Sequence, residues 1–269
     1  MYLTIDIGGT KTLIAAWTKH GRIVKKRRFK TPDRQSDFLV LLETALIPFS
    51  VKYRTKITEV VVAVPGLIKD NIATQFGNRP WRDLDLAARL AHLFSCPITL
   101  ENDANLATVY ETSGRRGLGL YLTFSTGIGG GLAKNGTLAK NSGSVEPGHT
   151  IYIYNNRSHE WEDIASCAAL GLAYGCRATS IRGAAAYSDI AFRVALGLPE
   201  LIQKYHPDYI VIGGPLAKLF PHFKTELSSN LHHILTGRAL PRLIPARRPL
   251  ESVIYGAYLY AKKLSKNSR

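Results

Sequence analysis

The sequence is poor in cysteine: Cys96, Cys167 and Cys176 are the only three in 269 residues. Three scattered cysteines cannot build the disulfide framework that stabilises many small secreted domains. The sequence also contains no CxxC or CxC pair, which excludes a zinc site built from closely spaced cysteines. We therefore expect a protein of a reducing compartment that folds around ordinary hydrophobic cores.

Long apolar runs are also missing. No stretch approaches the ~18 consecutive apolar residues of a membrane-spanning helix. The first residues, MYLTIDIGG, lack the basic flank and the apolar core of a signal peptide and instead predict a strand. We expect a cytoplasmic protein without a membrane partner.

Acidic residues are few, with 20 Asp and Glu against 35 Lys and Arg, and the formal net charge is +15. A basic surface can attract nucleic acid, because phosphate contacts dominate that affinity. The basic clusters are spread along the chain, however, and no RNA-binding signature or zinc finger accompanies them. We interpret the charge as solvated surface charge that favours anionic substrates, and we do not expect a nucleic-acid partner.

Hydrophobic periodicity predicts an α/β protein with two lobes. The valine-rich run EVVVAVPG at 59–66 is typical of a buried central strand. The other predicted strands are 2–7, 12–17, 22–30, 97–101, 119–125, 130–134, 149–154 and the buried run from 208. The predicted helices are 37–53 (interrupted near Pro48), 85–94, the segment after 103, 161–176, 186–204 and 252–264.

Two similar segments, LTIDIGGTKTLIAA (3–16) and LTFSTGIGGGLA (122–133), each place a glycine turn between two strands. Glycine permits positive φ and the close approach of a ligand, so successive N–H groups can point at phosphate oxygens. The turns are neither a P-loop nor a dinucleotide fingerprint, since the spacing differs and a strand follows. Asp6 could hold Mg²⁺ directly or through water, with Thr10 and Lys11 at phosphate oxygens. The alternative is an ordinary hairpin turn capped by Asp6.

Carboxylate and imidazole side chains are concentrated outside the two glycine turns. The segment VEPGHTIYIYNNRSHEWEDIASC (145–167) contains groups that ligate metals, transfer protons or bind polar ligands. In LENDANLA, Asp103 stands where a strand passes into a helix, whose N-terminus favours the ionised form that a general base needs. Alternatively, Asn102 or Asp103 is a simple helix N-cap. Asn78 in FGNRPW is either a ligand contact or an Asx-turn residue.

The motifs DIGGTKT, ENDANLA, STGIGGG, EPGH and IVIGGP, in this order and spacing, resemble the ROK family of sugar kinases and sugar-responsive repressors. The resemblance covers the chain from Asp6 to the terminal helix around Gly256. It implies a two-lobed actin-like ATPase (ribonuclease H-like) fold, in which each lobe is a mixed β-sheet flanked by helices, with an interlobe cleft. We expect an N-terminal lobe at 1–113, a C-terminal lobe at 114–250, and a final helix at 251–269 that packs on the N-terminal lobe.

The resemblance also implies a reaction, in which Mg-ATP donates its γ-phosphate to a hydroxyl, often the 6-hydroxyl, of a hexose or N-acetylhexosamine. Asp103 would be the general base, Asp6 would steady the magnesium, and the protein could be a homodimer. The implied sugar contacts are Asn78, Asn102, Asp103, Glu146, His149 and Glu162. The implied nucleotide contacts are Asp6, Gly8, Gly9, Thr10, Lys11, Thr126, Gly127, Gly129, Gly130, Gly213 and Gly214.

The sequence departs from the family pattern in two places. The family commonly has a zinc loop, CxCGxxGC, where this chain has TIYIYNNRSHEW, so we expect no structural zinc. A metal bound by His149, His159 and Glu160 is the alternative, and packing of Tyr152, Tyr154 and Trp161 could hold the loop instead. Val145 replaces the usual glycine, and we expect it to reshape the backbone near the sugar, with a change of specificity or weaker activity.

Three functions follow from these residues. The first is a sugar kinase, and the second is a sugar-responsive regulator. Family repressors carry a helix-turn-helix domain before the first phosphate motif, and Asp6 is too close to the start of this sequence to leave room for one. The third is a sugar- or nucleotide-binding protein that has lost catalysis, which the missing zinc loop and Val145 favour. The intact Asp6, Asp103 and glycine turns favour the kinase.

Overall fold

Strands and helices alternate along the chain in the computed structural model, which describes residues 1–77, 79–139, 145–237 and 239–267. The strands are β1 (Tyr2–Ile7), β2 (Lys11–Trp17), β3 (Ile23–Lys30), β4 (Glu59–Val64), β5 (Leu67–Lys69), β6 (Ile72–Phe76), β7 (Arg79–Leu84), β8 (Ile98–Asn102), β9 (Leu118–Phe124), β10 (Ile128–Lys134), β11 (Thr137–Leu138), β12 (Ile151–Tyr154), β13 (Arg157–Glu160), β14 (Tyr209–Gly213) and β15 (Arg242–Pro245). The helices are α1 (Gln35–Tyr53), α2 (Leu86–Leu90), α3 (Asp103–Thr112), α4 (Trp161–Ala165), α5 (Cys167–Tyr174), α6 (Ala184–Tyr205), α7 (Phe220–Ile234) and α8 (Ser252–Asn267).

The chain divides into two compact units. The first unit is Met1–Tyr110 together with Val253–Arg269, and the second is Glu111–Ser252. The lobe boundaries given above stay a prediction. No helix in the described ranges combines the length and the apolar character that crossing a membrane requires.

The first unit is built on a five-stranded sheet in the order β3-β2-β1-β4-β8. β2 pairs antiparallel with β1 and β3, whereas β1, β4 and β8 run parallel. All six residues of β4 are buried, which confirms the central strand that the valine-rich run predicted. Residues of α1 and α2 cover one face of this sheet, and residues of α8 cover the other.

Helix α1 continues through Pro48, so the predicted interruption there is wrong. Proline lacks the helical donor and usually bends or ends a helix. Here Phe49, Ser50 and Tyr53 beyond it are buried, and Ser50 Oγ donates to the Leu93 carbonyl at 2.7 Å. Because most helix stability in proteins comes from tertiary packing, this burial outweighs the lost hydrogen bond.

The second unit repeats the architecture of the first. Its sheet has the order β11-β10-β9-β14-β15. β10 pairs antiparallel with β9 and β11, and β14 runs parallel with β9 and β15. The hairpin β9–β10 therefore holds the position that β1–β2 holds in the first sheet, which is the structural basis of the sequence similarity between 3–16 and 122–133. Residues of α6 and α7 pack in the core of this unit.

Two small sheets were not predicted as sheets, although β12 lies within the predicted strand 149–154. The strands β5, β6 and β7 form a three-stranded antiparallel sheet, and β12 and β13 form a hairpin. Gly66, directly before β5, has φ +103°, and a Cβ there would lie 2.4 Å from the Gln75 carbonyl oxygen. Only glycine fits that position.

The predicted helix 161–176 is two helices, because Ser166 ends α4 and caps α5. Ser166 has extended backbone angles, and its Oγ accepts a hydrogen bond from the Ala169 amide at 3.1 Å. Serine favours this capping position over the interior of a helix. The break directs α5 away from the line of α4.

A buried carboxylate joins the two ends of the second unit. Glu111 is fully buried, and its Oε2 accepts from the Arg247 amide at 2.7 Å. Its Oε1 accepts from the Arg248 amide at 3.0 Å and from Ser252 Oγ at 2.6 Å. The first and last residues of this unit are thus directly hydrogen-bonded.

Candidate functional site

The first glycine turn, Gly8 to Thr10, joins β1 to β2. The Gly8 amide donates to the Lys11 carbonyl at 3.0 Å. Neither Gly8 nor Gly9 has a φ in the left-handed region, and a Cβ on Gly9 would meet no atom within 4 Å. The fold does not itself require glycine at position 9, and the open space beside the backbone leaves room for a ligand.

Two carboxylates lie at the carboxyl ends of parallel strands of the same sheet. Asp6 lies near the end of β1, and Asp103 comes directly after β8. Burial, followed by the charge of Asp103, raises the pKa of Asp6 to about 7, while Lys11 and Arg28 act in the opposite direction. Carboxylate oxygens are the ligands that Mg²⁺ prefers, and a bound cation would favour the ionised form of Asp6.

Asn102 is the residue that caps α3. Its Oδ1 accepts from the Asn105 amide at 3.1 Å, and its Nδ2 donates to the Gly66 carbonyl at 3.1 Å. Asp103 is then the first residue of the helix, and its Oδ1 accepts from the Ala104 amide at 2.8 Å. The helix terminus favours the ionised carboxylate of Asp103. The side-chain amide of Asn102 can form more than these two hydrogen bonds, because its oxygen has two lone pairs and its nitrogen has two hydrogens.

The second glycine turn surrounds the carboxylate of Glu162. A Cβ on Gly127 would lie 2.4 Å from Glu162 Oε2, and a Cβ on Gly148 would lie 2.6 Å from it. The Ile128 amide donates to the same oxygen at 3.2 Å. Gly127, predicted to bind nucleotide, and Glu162, predicted to bind sugar, are therefore direct neighbours in the second unit.

The side chain of Val145 belongs to the hydrophobic core, and its expected effect on the backbone near the sugar stays a prediction. It is 4% exposed, and a Cβ on Gly130 would lie 3.0 Å from Val145 Cγ1. Gly130 is likewise buried, whereas Thr126 in the same turn is exposed. Core packing thus accounts for both Val145 and Gly130.

His149 is oriented by a carboxylate from the β12–β13 hairpin. Its Nδ1 lies 2.9 Å from Glu160 Oε2, and an ionised carboxylate can only accept, so Nδ1 donates. This hydrogen bond raises the pKa of His149, with further contributions from the charges of Glu162 and Glu146, while desolvation acts in the opposite direction. The contact fixes the imidazole and leaves Nε2 for a ligand.

A metal could also bind at this place. The ligand atoms of His149, Glu160 and Glu162 all lie within 4.8 Å of one another. Imidazole and carboxylate are suitable zinc ligands. The ring of His159 packs edge-on against Tyr154, with centroids 6.4 Å apart, and His159 is not a member of the group. The expected lack of zinc stays a prediction.

Aromatic residues pack behind the hairpin. Trp161 is fully buried and meets the ring of Phe124 edge-on, with centroids 5.5 Å apart. Its Nε1 donates to the Arg193 carbonyl at 3.0 Å. The hydroxyl of Tyr152 donates to Glu200 at 2.8 Å. These contacts anchor both ends of the segment that carries Glu160.

Gly213 and Gly214 are required by the fold itself. A Cβ on Gly213 would lie 2.4 Å from the ring of Tyr121. Gly214 has φ +67°, and its Cβ would lie 2.3 Å from the Phe124 carbonyl oxygen. Packing explains both glycines, so contact with adenosine stays a prediction.

The predicted site residues fall into both units, and Asn78 lies outside the described residues. The first unit contains Asp6, Gly8, Gly9, Thr10, Lys11, Asn102 and Asp103. The second contains Thr126, Gly127, Gly129, Gly130, Glu146, His149, Glu162, Gly213 and Gly214.

Sequence reasoning missed two side chains. It considered Glu160 only as a metal ligand, although the alternation of the TIYIY strand could have indicated a hairpin that returns Glu160 to His149. Arg79 donates a hydrogen bond to the first glycine turn. In the sequence, only its position next to Asn78 could have indicated a role in the site.

The repeated mixed sheet with flanking helices defines an α/β protein of the actin-like ATPase fold, as the motifs predicted. The chain belongs to the ROK family, whose model matches residues 2–263. A β-glucoside kinase of Listeria innocua is 28% identical over 261 residues, which cover 85% of this chain and 86% of the relative.

Two solved structures share the fold. A ROK family glucokinase from Streptomyces griseus, in complex with glucose and AMPPNP, superposes with a TM-score of 0.78 at 20% identity, covering 97% of this chain and 99% of that chain. A ROK family transcriptional regulator, a homologue of the E. coli MLC protein, superposes with a TM-score of 0.81 at 16% identity, covering 97% of this chain and 77% of that chain.

Proposed function

We propose that the chain is an ATP-dependent sugar kinase that transfers the γ-phosphate of Mg-ATP to a hydroxyl, most simply the 6-hydroxyl, of a hexose or N-acetylhexosamine. The observation that carries the proposal is the pair Asp6 and Asp103, in which the charge of Asp103 acts on Asp6, together with the open glycine turn that follows β1. Family membership supports it, as do the β-glucoside kinase and glucokinase similarities.

Asp103 is the general base of the proposed reaction. Its carboxylate accepts the proton of the sugar hydroxyl, the hydroxyl oxygen bonds to the γ-phosphorus, and the bond from that phosphorus to ADP breaks. Because Asn102 supplies the helix cap, the carboxylate of Asp103 is not needed for that purpose. The N-terminus of α3 favours the ionised form of this carboxylate, which is the form that a general base needs.

Asp6 would hold the magnesium ion that accompanies ATP. Burial, followed by the charge of Asp103, raises the pKa of Asp6 to about 7, and the charge of a bound cation would act against both effects. When bound, magnesium supplies charge neutralisation of the phosphate oxygens. The amides of the first glycine turn would bind phosphate, with Thr10 and Lys11 alongside.

Residues of the second unit would bind the sugar. Glu162 and His149 offer an acceptor and an imidazole nitrogen, both held by neighbouring groups. Glu146 adds a carboxylate whose charge acts on His149. Such directional groups select for hydroxyls, because a substrate lacking a hydroxyl leaves them unpaired.

Release of ADP from Mg-ATP, measured across a panel of hexoses and N-acetylhexosamines, tests the proposal. Turnover with a sugar supports it and identifies the substrate. We expect Asp103→Asn to retain sugar binding and to lower kcat by about 10²–10⁴-fold. Asp163→Asn changes an exposed carboxylate of α4 and should keep wild-type turnover. Wild-type kcat in Asp103→Asn would exclude Asp103 as the base.

A sugar-responsive regulator is the second candidate. The regulator of the same fold and the net charge of +15 favour it. A regulator would bind sugar and DNA without releasing ADP. Titration of the folded protein with sugar, and with duplex DNA at two salt concentrations, separates this function from the kinase.

A further inference from the structure

The guanidinium of Arg79 lies against the first glycine turn, although Arg79 and Gly9 are 70 residues apart in sequence. Its Nε donates to the Gly9 carbonyl at 3.2 Å, and its Nη2 donates to the same oxygen. Its Nη1 donates to the Pro32 carbonyl at 2.7 Å. The side chain is 14% exposed, so these contacts hold it in a defined position.

Backbone carbonyls and an aromatic ring, rather than a buried carboxylate, hold this guanidinium. Asp33 pairs with Arg79 at 3.3 Å, but its side chain is 90% exposed, and such surface pairs contribute little. The guanidinium lies over the Trp81 ring, 4.9 Å from its centroid. Trp81 Nε1 in turn donates to the Asp33 carbonyl at 2.9 Å. The guanidinium of Arg79 therefore directs two of its nitrogens, Nε and Nη2, to the carbonyl of the glycine turn.

The orientation of the turn follows from these contacts. In a trans peptide the carbonyl and the N–H point in opposite directions. Arg79 holds the Gly9 carbonyl, so the Thr10 amide points to the other side. Thr31 Oγ1 donates to the Gly8 carbonyl at 2.8 Å, which orients the Gly9 amide in the same manner. Within the described residues, neither amide donates to a backbone carbonyl.

We propose that Arg79 is a positioning residue for the phosphate-binding turn. By fixing the Gly9 carbonyl, it presets the Thr10 amide as a donor to an ATP phosphate. This inference rests on the proposed function, since it assumes that the turn binds nucleotide. Arg79 acts through the turn, so its loss should weaken nucleotide binding far more than sugar binding.

Three variants test this role: Arg79→Gln, Arg79→Lys and the matched control Arg82→Gln. Arg82 is an exposed arginine of the same strand that donates to the Trp81 carbonyl at 2.8 Å. Titration with a non-hydrolysable ATP analogue gives Kd, and steady-state assays give KM for ATP and for sugar. For Arg79→Gln, we expect Kd and the KM for ATP to rise about tenfold, with the sugar KM changed less than about twofold.

Arg79→Lys should show an intermediate loss, because one ammonium cannot reproduce the planar fork. Arg82→Gln should bind nucleotide as the wild type does. An unchanged Kd in folded Arg79→Gln, or equal weakening of sugar and nucleotide, overturns the inference. If Arg79→Gln does not fold, Arg79→Lys is judged by the same criteria. Absence of turnover in the wild type refutes the kinase, whereas the analogue Kd still tests Arg79.

Discussion

At the scale of single residues, the glycines of the candidate site have different physical origins. Gly214 is required by its backbone angle and by the Phe124 carbonyl, and Gly127 makes room for the Glu162 carboxylate. Gly9 has no left-handed φ, and a Cβ at this position would meet no atom within 4 Å. The fold therefore explains the first two, whereas Gly9 has no such requirement, and the proposed nucleotide at the backbone is the explanation that we test.

Gly9→Ala separates folding from binding. Alanine at a compatible position restricts the unfolded chain and commonly stabilises a protein by about 0.4–1 kcal/mol. We expect an unchanged or slightly raised Tm and a weaker affinity for an ATP analogue, because the methyl group occupies the space beside the turn. Thermal unfolding and calorimetric titration measure the two effects. Gly214→Ala is the control and should lower Tm; unchanged nucleotide affinity in Gly9→Ala would contradict the assignment.

Asp6 should make stability depend on pH when no cation is bound. The unfolded residue ionises near 3.8 and the folded residue near 7. Between these values the folded state binds more protons, so the contribution of Asp6 to stability falls as pH rises from about 4 to about 7. Tm, measured in chelator at about pH 5 and about pH 8, should fall more in the wild type than in Asp6→Asn. Parallel changes in the two proteins would show that another group dominates.

At the scale of secondary structure, the sequence predicted best those elements whose burial is continuous. β4 and β14 are fully buried strands, and their apolar runs predicted them. The small sheet β5-β6-β7 was missed, since its strands are short and alternate irregularly between buried and exposed residues. The break between α4 and α5 depends on a single cap at Ser166, which hydrophobic periodicity does not reveal.

The candidate site was predictable to the extent that its residues adjoin motifs in sequence. Asp6, Gly9 and Asp103 stand within or beside recognisable motifs. The partnership of Glu160 with His149 depends on the β12–β13 hairpin, and that of Arg79 with Gly9 depends on the β6–β7 hairpin. Both arise from tertiary proximity, which a local pattern does not encode.

The β12–β13 hairpin should hold His149 without a metal. The hydrogen bond from His149 to Glu160 and that from Ile128 to Glu162 already engage the groups that a metal would use. We expect treatment with chelator, followed by excess Mg²⁺, to leave Tm and turnover unchanged. About one equivalent of zinc by elemental analysis, lost together with activity on chelation, would identify these residues as a metal site instead.

At the scale of the whole molecule, each unit has its own hydrophobic core. One core cluster lies in the second unit, and two lie on opposite faces of the sheet of the first unit. Separate cores are the usual basis of units that fold independently. The two ends of the second unit are then held together by the hydrogen bonds between them. The buried carboxylate of Glu111 accepts three of these hydrogen bonds.

Glu111→Ala should destabilise the protein by about 2–4 kcal/mol. The change removes the acceptor of two partly buried backbone amides and one of the two acceptors of the Ser252 hydroxyl. Urea-induced unfolding measures the loss. Glu226→Ala removes an exposed carboxylate that accepts from Ser188 at 3.3 Å and should change stability by less than about 0.5 kcal/mol. Equal effects of the two substitutions would contradict a special role for Glu111.

The hydrogen bond between Glu111 and Ser252 has a consequence for engineering. The ends of the second unit meet at Glu111 and Ser252, and within the first unit the rings of Tyr110 and Tyr255 lie 5.3 Å apart. Segments with adjacent ends can be transplanted or permuted. Residues 111–252 are thus a cassette that a short linker between 110 and 253 could replace, and that could be exchanged for the equivalent segment of another family member.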